Sequence, residues 1–388
     1  MDTPAASASS RIVTPLSAMD PTPAVFSNPR NPAIVSPRPP VSAGTPAAER
    51  RLGLHLVQQL FTKQMLLPRI FRQRPIATPA CMSTCSIAVL GEALVDEFHD
   101  GAVAGGAPFN VARSLAALGA PVVFVSRIGR DDDAGRLVLD SARRYGLPTQ
   151  GLQRDAQHAT GRVSVIEDGG RHRFVIHDDA AWDHLDAEAA RQALAGTQPG
   201  IVYFGSLAQR QPASRAAVRA VVKPLAGLRF LDLNLRPGSD ARLLAAESLM
   251  LADWVKLNDE ELAQLAAWFD ATAPDDAGRA AALMARFGLQ RLVLTLGAQG
   301  WRLYGPAGTL LAQGAGVAQP QVADTVGAGD AFTALLLAGL ALRRDLAATL
   351  ALANRYASFI CGVRGPLPAE AAALQPWRDA LHALPSSA

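Results

Sequence analysis

Three cysteines in 388 residues, Cys81, Cys85 and Cys361, are too few and too badly spaced for a disulfide framework or a zinc site. Cys361 reads as a packed thiol on a helix. No run of about eighteen or more apolar residues occurs, which excludes a transmembrane helix for the body. No basic, apolar and small-residue succession marks a secretory signal, so the body is expected to be soluble and cytoplasmic. The chain has no Gly-x-x-x-x-Gly-Lys-Ser/Thr P-loop and no Gly-x-Gly-x-x-Gly after its first strand, which disfavours Walker-type and dinucleotide-binding sites. No internal repeat with a period of about 20 to 50 residues is present.

Acidic residues are scarce at one end. Of 37 Lys and Arg and 34 Asp and Glu, residues 1–82 hold 9 and 3, leaving 28 basic and 31 acidic residues in the body. The net charge of +3 therefore originates in the extension, and the pI of about 9.0 is no argument for nucleic-acid binding. Residues 1–82 are rich in Pro, Ala, Ser and Arg and read as a disordered basic extension. Within it, Leu52, Leu56, Leu60 and Leu66, with Val57 and Phe61, recur at roughly helical spacing among basic residues over 50–74. A targeting or membrane-surface segment, a disordered extension, or sequence upstream of a start at Met82 would each account for this composition.

From residue 83 to 388, short apolar runs alternate with amphipathic helical stretches, the order of an α/β fold with a parallel sheet covered by helices. Strands are expected at 87–94, 122–128, 201–204, 230–233, 254–257 and 292–295. Helices are expected at 109–118, 134–145, 187–195, 214–221, 241–249, 260–269 and 277–287. Two regions break the alternation, near 97–104 and 161–178, the second carrying the hairpin signal Glu167-Asp168-Gly169-Gly170-Arg171. These pieces form either a small separate sheet that covers an acceptor site or an edge extension of the main sheet.

Asp324-Thr325-Val326-Gly327-Ala328-Gly329-Asp330 opens into an apolar helical run. Gly327, Ala328 and Gly329 leave backbone N–H groups uncovered at a helix start, where unpaired donors and the helix dipole attract phosphate. Asp330 in the first turn is expected to stay ionised and to accept a proton from a substrate hydroxyl. An ordinary turn with an N-terminal cap is the competing reading. Gly105-Gly106-Ala107-Pro108-Phe109-Asn110 is a second glycine turn entering a helix. With Asp96 it supplies donors and acceptors suited to a polyol, although Asn110 as a helix cap and Asp96 as a solvated strand end fit equally well. Asn258-Asp259-Glu260-Glu261 reads as a cap, or as a metal and triphosphate position with Glu261 acting on Mg²⁺ through water. Thr295-Leu296-Gly297-Ala298-Gln299-Gly300 ends a strand in a glycine turn suited to nucleotide.

Taken in order, Gly91-Glu92-Ala93-Leu94-Val95-Asp96, the Gly105-Gly106 to Asn110 turn, Asn258-x-x-Glu261, Thr295-Leu296-Gly297 and Asp324 to Asp330 resemble the ribokinase-like, PfkB-type carbohydrate kinases. The resemblance spans about residues 86–382. It implies a three-layer α/β/α, Rossmann-like domain with a β-sheet lid, ATP as donor, Mg²⁺ as required ion, and a homodimer formed through the lids. It implies that Asp330 is the base and Gly327, Ala328 and Gly329 the anion hole. Asp96, Gly105, Gly106 and Asn110 then hold sugar hydroxyls. Asn258, Glu261, Thr295, Gly297, Gly300 and Asn354 fall on the nucleotide side, and Asp324 on a monovalent cation such as K⁺.

The motifs, with Asn234-Leu235-Arg236-Pro237, resemble the fructokinase branch, so fructose is the first substrate expected, and Arg236 is a candidate cation at the phosphates. Phe109, Leu233 and Asp259 depart from that branch, and bulk at Phe109 is expected to narrow or reshape the pocket. The stretch 173–182, with His177, Asp178, Asp179 and Trp182, matches no single sugar class. A 2-keto-3-deoxy sugar acid, held by Arg162, ribose or a nucleoside are the alternatives, as is a noncatalytic sugar-binding regulator on the same fold.

Overall fold

The computed structural model describes residues 85–387, apart from 100, 169, 170, 237 and 239. The extension, Met82, Cys81 and the apolar spacing over 50–74 lie outside the described residues, as do Gly169 and Gly170 of the hairpin signal. In chain order the first strands are β1 (Ile87–Leu90), β2 (Leu94–Phe98), β3 (Gly101–Gly105), β4 (Val122–Gly129), β5 (Leu152–Asp155), β6 (Gly161–Asp168) and β7 (Arg171–Ile176). They are followed by β8 (Ile201–Gly205), β9 (Leu228–Asp232), β10 (Trp254–Asn258), β11 (Arg291–Thr295), β12 (Trp301–Tyr304) and β13 (Leu310–Gly314).

Nine of these form one sheet in the order β13-β12-β11-β10-β9-β8-β1-β4-β5. All pairings from β5 to β11 are parallel, and β12 and β13 continue the sheet antiparallel. Strand residues feed two cores alternately. Ile87, Val89, Phe124, Tyr203, Phe230 and Val293 join one core, and Ala88, Leu90, Val123, Val202, Phe204, Leu231 and Leu292 the other. Strands buried on both faces read as continuous apolar runs, which is why the pattern exposed them.

Helices α1 (Ala107–Ala117), α2 (Asp133–Arg144), α8 (Ala328–Ala341), α9 (Leu346–Cys361) and α10 (Gln375–His382) bury residues in the first core. Helices α3 (Ala187–Leu194), α4 (Pro212–Val222), α5 (Ala241–Leu251), α6 (Asp259–Trp268) and α7 (Asp276–Phe287) bury theirs in the second. The result is the expected three-layer α/β/α arrangement. Strand order reverses at β1, whose neighbours are β4 and β8, and in such sheets ligands bind beyond the carboxyl ends of strands at the switch point.

The pieces that broke the alternation form a separate four-stranded sheet, order β3-β2-β6-β7, in which β2 and β6 pair in parallel. The expected strand at 87–94 is therefore two strands. β1 ends at Leu90, the chain turns at Gly91, where a Cβ would lie 2.2 Å from the Pro108 ring, and Leu94 begins the small sheet. Apolarity runs through both strands, so composition could not show the crossing. Strand β5, the edge strands β12 and β13 and helix α10 were not expected, and Cys361 does close a helix, α9. Among the described residues no helix is long and apolar enough to cross a membrane.

Candidate active site

The site gathers at the carboxyl ends of β1, β9, β10 and β11, between two helix starts. Helix α8 begins after Gly327, whose φ of 79° is in the left-handed region and whose Cβ, if present, would lie 2.5 Å from Pro366 Cα. Only glycine fits there without displacement. The first i to i−4 bond of α8 runs from Ala331 N–H to Gly327 O at 2.8 Å, so the amides of Ala328, Gly329 and Asp330 precede it. Ala328 N–H is directed to Thr325 O at 3.3 Å. Gly329 and Asp330 are thereby the freest donors of the proposed anion hole.

Asp330 is in the first turn of α8, and its Oδ2 accepts a 2.8 Å hydrogen bond from Asn110 Nδ2. Burial pushes its pKa up to about 6, while the bond from Asn110 and the charges of Lys256 and Arg236 pull it down. Burial is the largest of these influences and works against the ionised form that the sequence led one to expect. Asn110 is no helix cap, because α1 starts at Ala107 with Gly106 before it at φ 104°. Its side chain is oriented from both ends: Oδ1 accepts from Arg113 at 2.5 Å while Nδ2 serves Asp330. Arg113 is buried, also donates to Ala104 O and Ser141 Oγ, and its guanidinium lies 4.3 Å over the Phe109 ring. Burial lowers its pKa to about 10, so it remains a cation at neutral pH.

Phe109 is itself fully buried, packed against Phe124 with ring centroids 5.4 Å apart. Of the two expectations, that its bulk narrows or reshapes the pocket, the first is corrected: it supports Arg113 from within the core. Asp96 on β2 faces Gly105, where a Cβ would come within 2.2 Å of Asp96 Oδ2. Burial raises the Asp96 pKa to about 6, against the charges of Arg113 and Arg236. Glu92, after β1, is buried, has Oε2 without a hydrogen-bond partner, and has its pKa raised by burial to about 7. Arg162 is ion-paired with Glu97 on the neighbouring strand β2. Trp182 is buried, lies under Arg210 at 4.1 Å, and packs its indole nitrogen where a Cβ on Gly161 of the small sheet would fall.

On the other side, Asn258 and Glu261 form a reciprocal capping box on α6. Glu261 Oε2 accepts from Asn258 N–H at 2.9 Å and Oε1 from Leu235 N–H at 2.7 Å, and burial raises its pKa. Thr295 Oγ1 donates to Leu257 O at 3.3 Å. The Gly297 to Gly300 turn adjoins a cleft of about 430 Å³ lined by Leu296, Gln299, Trp301, Gly314 and Ala315. Gly297 has open space where a Cβ would be, and Asn354 Nδ2 donates to Ala315 O at 2.8 Å, beside the same cleft. Asp324 accepts from the amides of Val326 and Gly365 at 3.0 and 3.3 Å.

The model of the pfkB family carbohydrate kinase matches residues 80–371. The chain belongs to this family. It is 32% identical over 315 residues to a fructokinase of Klebsiella pneumoniae, covering 76% of this chain and 97% of that one. Its structure is similar to that of a Xylella fastidiosa fructokinase with bound ATP, at TM-score 0.64 and 26% identity over 75% of this chain and 98% of that one. It is also similar to a double mutant of the fructokinase of Vibrio cholerae O395 bound to fructose, ADP and a potassium ion, at TM-score 0.63 and 27% identity over 76% and 98% of the two chains.

In this carbohydrate kinase several residues at the site had drawn no functional reading from the sequence. Lys256 Nζ is 2.9 and 3.0 Å from the two oxygens of Asp232, and Thr333 Oγ1 donates to Asp232 Oδ2 at 2.8 Å. The pair is buried, and burial, which would lower the Lys256 pKa, is outweighed by the charge of Asp232 and its hydrogen bond, so the pKa is raised. The available signal was a charged residue inside each of two apolar strands, Phe230-Leu231-Asp232 and Trp254-Val255-Lys256-Leu257. Adjacent strands in register, Lys256 opposite Asp232, turn two isolated charges into one pair. For Arg113 and Glu92, embedded in apolar stretches, the same signal applied.

Proposed function

We propose that the chain transfers the terminal phosphoryl group of ATP to a hydroxyl of fructose or a closely related monosaccharide, with Asp330 as the base. The observation that carries this reading is the 2.8 Å bond from Asn110 to Asp330, which joins the glycine turn that would hold the sugar to the helix start that would hold the phosphate. In the reaction, Asp330 takes the proton of a primary hydroxyl as that oxygen attacks the γ-phosphorus and the bond to the leaving ADP oxygen breaks. Charge on the transferring group is met by the first amides of α8 and its dipole. Asp96 and Asn110 would orient sugar hydroxyls, and Gly105 and Gly106 allow the sugar to approach the backbone.

The nucleotide would lie along Asn258, Thr295, Gly297, Gly300 and Asn354. The donor set suits a hard cation: Glu261 and Asp324 each present carboxylate oxygens that accept one backbone N–H apiece and retain a lone pair. Glu261 would hold Mg²⁺ through water and Asp324 a monovalent ion such as K⁺. When bound, the divalent ion supplies charge neutralisation on the phosphates. The four-stranded sheet, carrying Asp96 at its junction with the body, would act as the lid that excludes water. Its exposed Val103 and Val175 are the apolar residues on which a homodimer would form, a state that light scattering reads directly.

A sugar acid as substrate is less well supported than fructose, because its candidate anchor Arg162 is already paired with Glu97. The test is ADP release across fructose, ribose, nucleosides and a sugar acid, with wild type and Asp330→Asn. The reading expects one sugar to raise ADP release well above background in wild type and a loss of about 10²-fold or more in the variant. Equal release by both proteins would remove Asp330 as base. Sugar binding without any stimulated release would establish a noncatalytic binding protein instead.

A further inference from the structure

A second cluster of ligand-bearing side chains lies outside the site above. His158 and His184 stack with ring centroids 3.6 Å apart and planes within 13°, and both turn Nε2 toward the same carboxylate. Asp179 Oδ1 is 2.9 Å from His184 Nε2 and 3.8 Å from His158 Nε2. One ligand atom from each of the three residues falls within 4.8 Å of the others. An imidazole lone pair lies in its ring plane, and two imidazoles on one tetrahedral ion stand with centroids about 5 Å apart, so the stacked rings would swing apart to share an ion with Asp179.

Behind His158, Asp155 is buried and accepts from the His158 ring at Nδ1, 3.1 Å away. Asp155 is itself fixed in place by hydrogen bonds from the amides of Gln157 and His158 and from Arg127. With Asp155 on Nδ1, Nε2 is the His158 nitrogen that faces Asp179, the carboxylate-histidine pairing that orients metal ligands. Asp179 has a positive φ of 57°, and its Oδ1 lies against both rings.

We propose that His158, Asp179 and His184 form a site for a borderline divalent transition-metal ion of the Zn²⁺ class, with water completing the coordination. Two nitrogens and one oxygen suit such an ion and disfavour Mg²⁺ or Ca²⁺, which take oxygen. The placement gives the site a mechanical consequence. His158 precedes β6 and Asp179 follows β7, so they sit on the two connections that join the β6–β7 hairpin to the rest of the chain. His184 ends a short 3₁₀ turn whose Trp182 and Asp183 are buried, with Asp183 paired to Arg210 at 2.6 Å. A bound ion therefore ties both feet of the hairpin to a fixed point. Neither the binding nor the tie depends on which sugar, if any, the protein phosphorylates.

The test uses the full chain stripped with EDTA and titrated with Co²⁺ and Zn²⁺ by calorimetry and visible absorption, with Mg²⁺ as comparison. The expected result is one equivalent of Co²⁺ with the d–d spectrum of a low-coordinate nitrogen and oxygen site, displaced by Zn²⁺ and not by Mg²⁺. His184→Gln and Asp179→Asn, both at partly or fully exposed positions, should each weaken binding about tenfold or more while leaving the unfolding temperature of the metal-free protein unchanged. Hydrogen exchange in β6 and β7 should slow on Zn²⁺ addition in wild type alone. Zn²⁺ binding no tighter in wild type than in the His158→Gln/His184→Gln double variant would overturn the site. Binding without slower exchange in the hairpin would overturn its tie to the body.

Discussion

Lys256 and Asp232 form an ion pair inside the sheet directly behind the first turn of α8: a Cβ on Gly329 would stand 3.4 Å from Lys256 Nζ. The pair stabilises the site only as a pair. Removing one partner strands the other charge in the core, and such truncations typically cost about 3–5 kcal/mol. Lys256→Met is expected to destabilise by about that amount in urea unfolding, and Lys256→Met/Asp232→Leu to recover most of the loss. A single variant within about 0.5 kcal/mol of wild type would show the pair to be energetically idle.

Asn110 should set the acid limb of the pH profile. Its bond lowers the pKa of Asp330 from where burial alone would hold it, the net value being about 6. The base must be ionised, so kcat/KM is expected to fall as pH drops through about 6, and Asn110→Ala to move that limb upward. Asp96 titrates in the same range, so the limb belongs to the group of carboxyls rather than to Asp330 alone. An unchanged limb in Asn110→Ala, with activity retained, would disprove the coupling.

Glu92 makes stability depend on pH in the direction opposite to a paired carboxylate. Its folded pKa, about 7, lies above the ordinary 4.5, so between these values the folded state holds more protons than the unfolded one. Stability contributed by the neutral form is complete below the unfolded pKa and is lost as pH rises through about 7. Glu92→Gln should therefore stabilise the protein at pH 8 by something on the order of 3 kcal/mol and change little at pH 4. Thermal unfolding at the two pH values reads the difference, and equal shifts at both would sink the idea.

Gly105 guards the Asp96 carboxylate. Because a Cβ there would meet Asp96 Oδ2 at 2.2 Å, Gly105→Ala must displace that side chain. The expected effect is a rise in sugar KM of about tenfold or more, equivalent to about 1.4 kcal/mol, with the KM for ATP little changed. Gly196→Ala, where nothing lies within 4 Å, serves as the comparison and should leave both constants unchanged. Equal effects on the two substrates would place the damage in folding rather than in sugar contact.

The body of the fold was legible because its strands are buried on both faces and its helices on one, so period and order survive in the sequence. The helix start that carries Asp330 was legible for a related reason: Gly327 answers a positive φ and a close approach by Pro366, constraints written into residue type. What stayed hidden depends on register and long-range packing. Nothing local to Trp254-Val255-Lys256-Leu257 names Asp232 as the partner, and nothing near Asn110 shows that Arg113 turns its amide toward Asp330. Phe109 misled because a bulky residue beside a glycine turn looks the same whether it faces ligand or core. The residues at 177–182 resisted any sugar reading, and two of them have other duties, Trp182 in the core and Asp179 beside two histidines.

Helix α8 is apolar on nearly every side, with Ala331 to Gly339 and Ala341 buried between the sheet and its neighbours. Mobile counter-ions reach only its first turn. The field of the aligned peptide groups is thus delivered at the one place salt can reach, where Gly329 is exposed, and the pull on an anion there should weaken as ionic strength rises while the rest of the helix is indifferent to it.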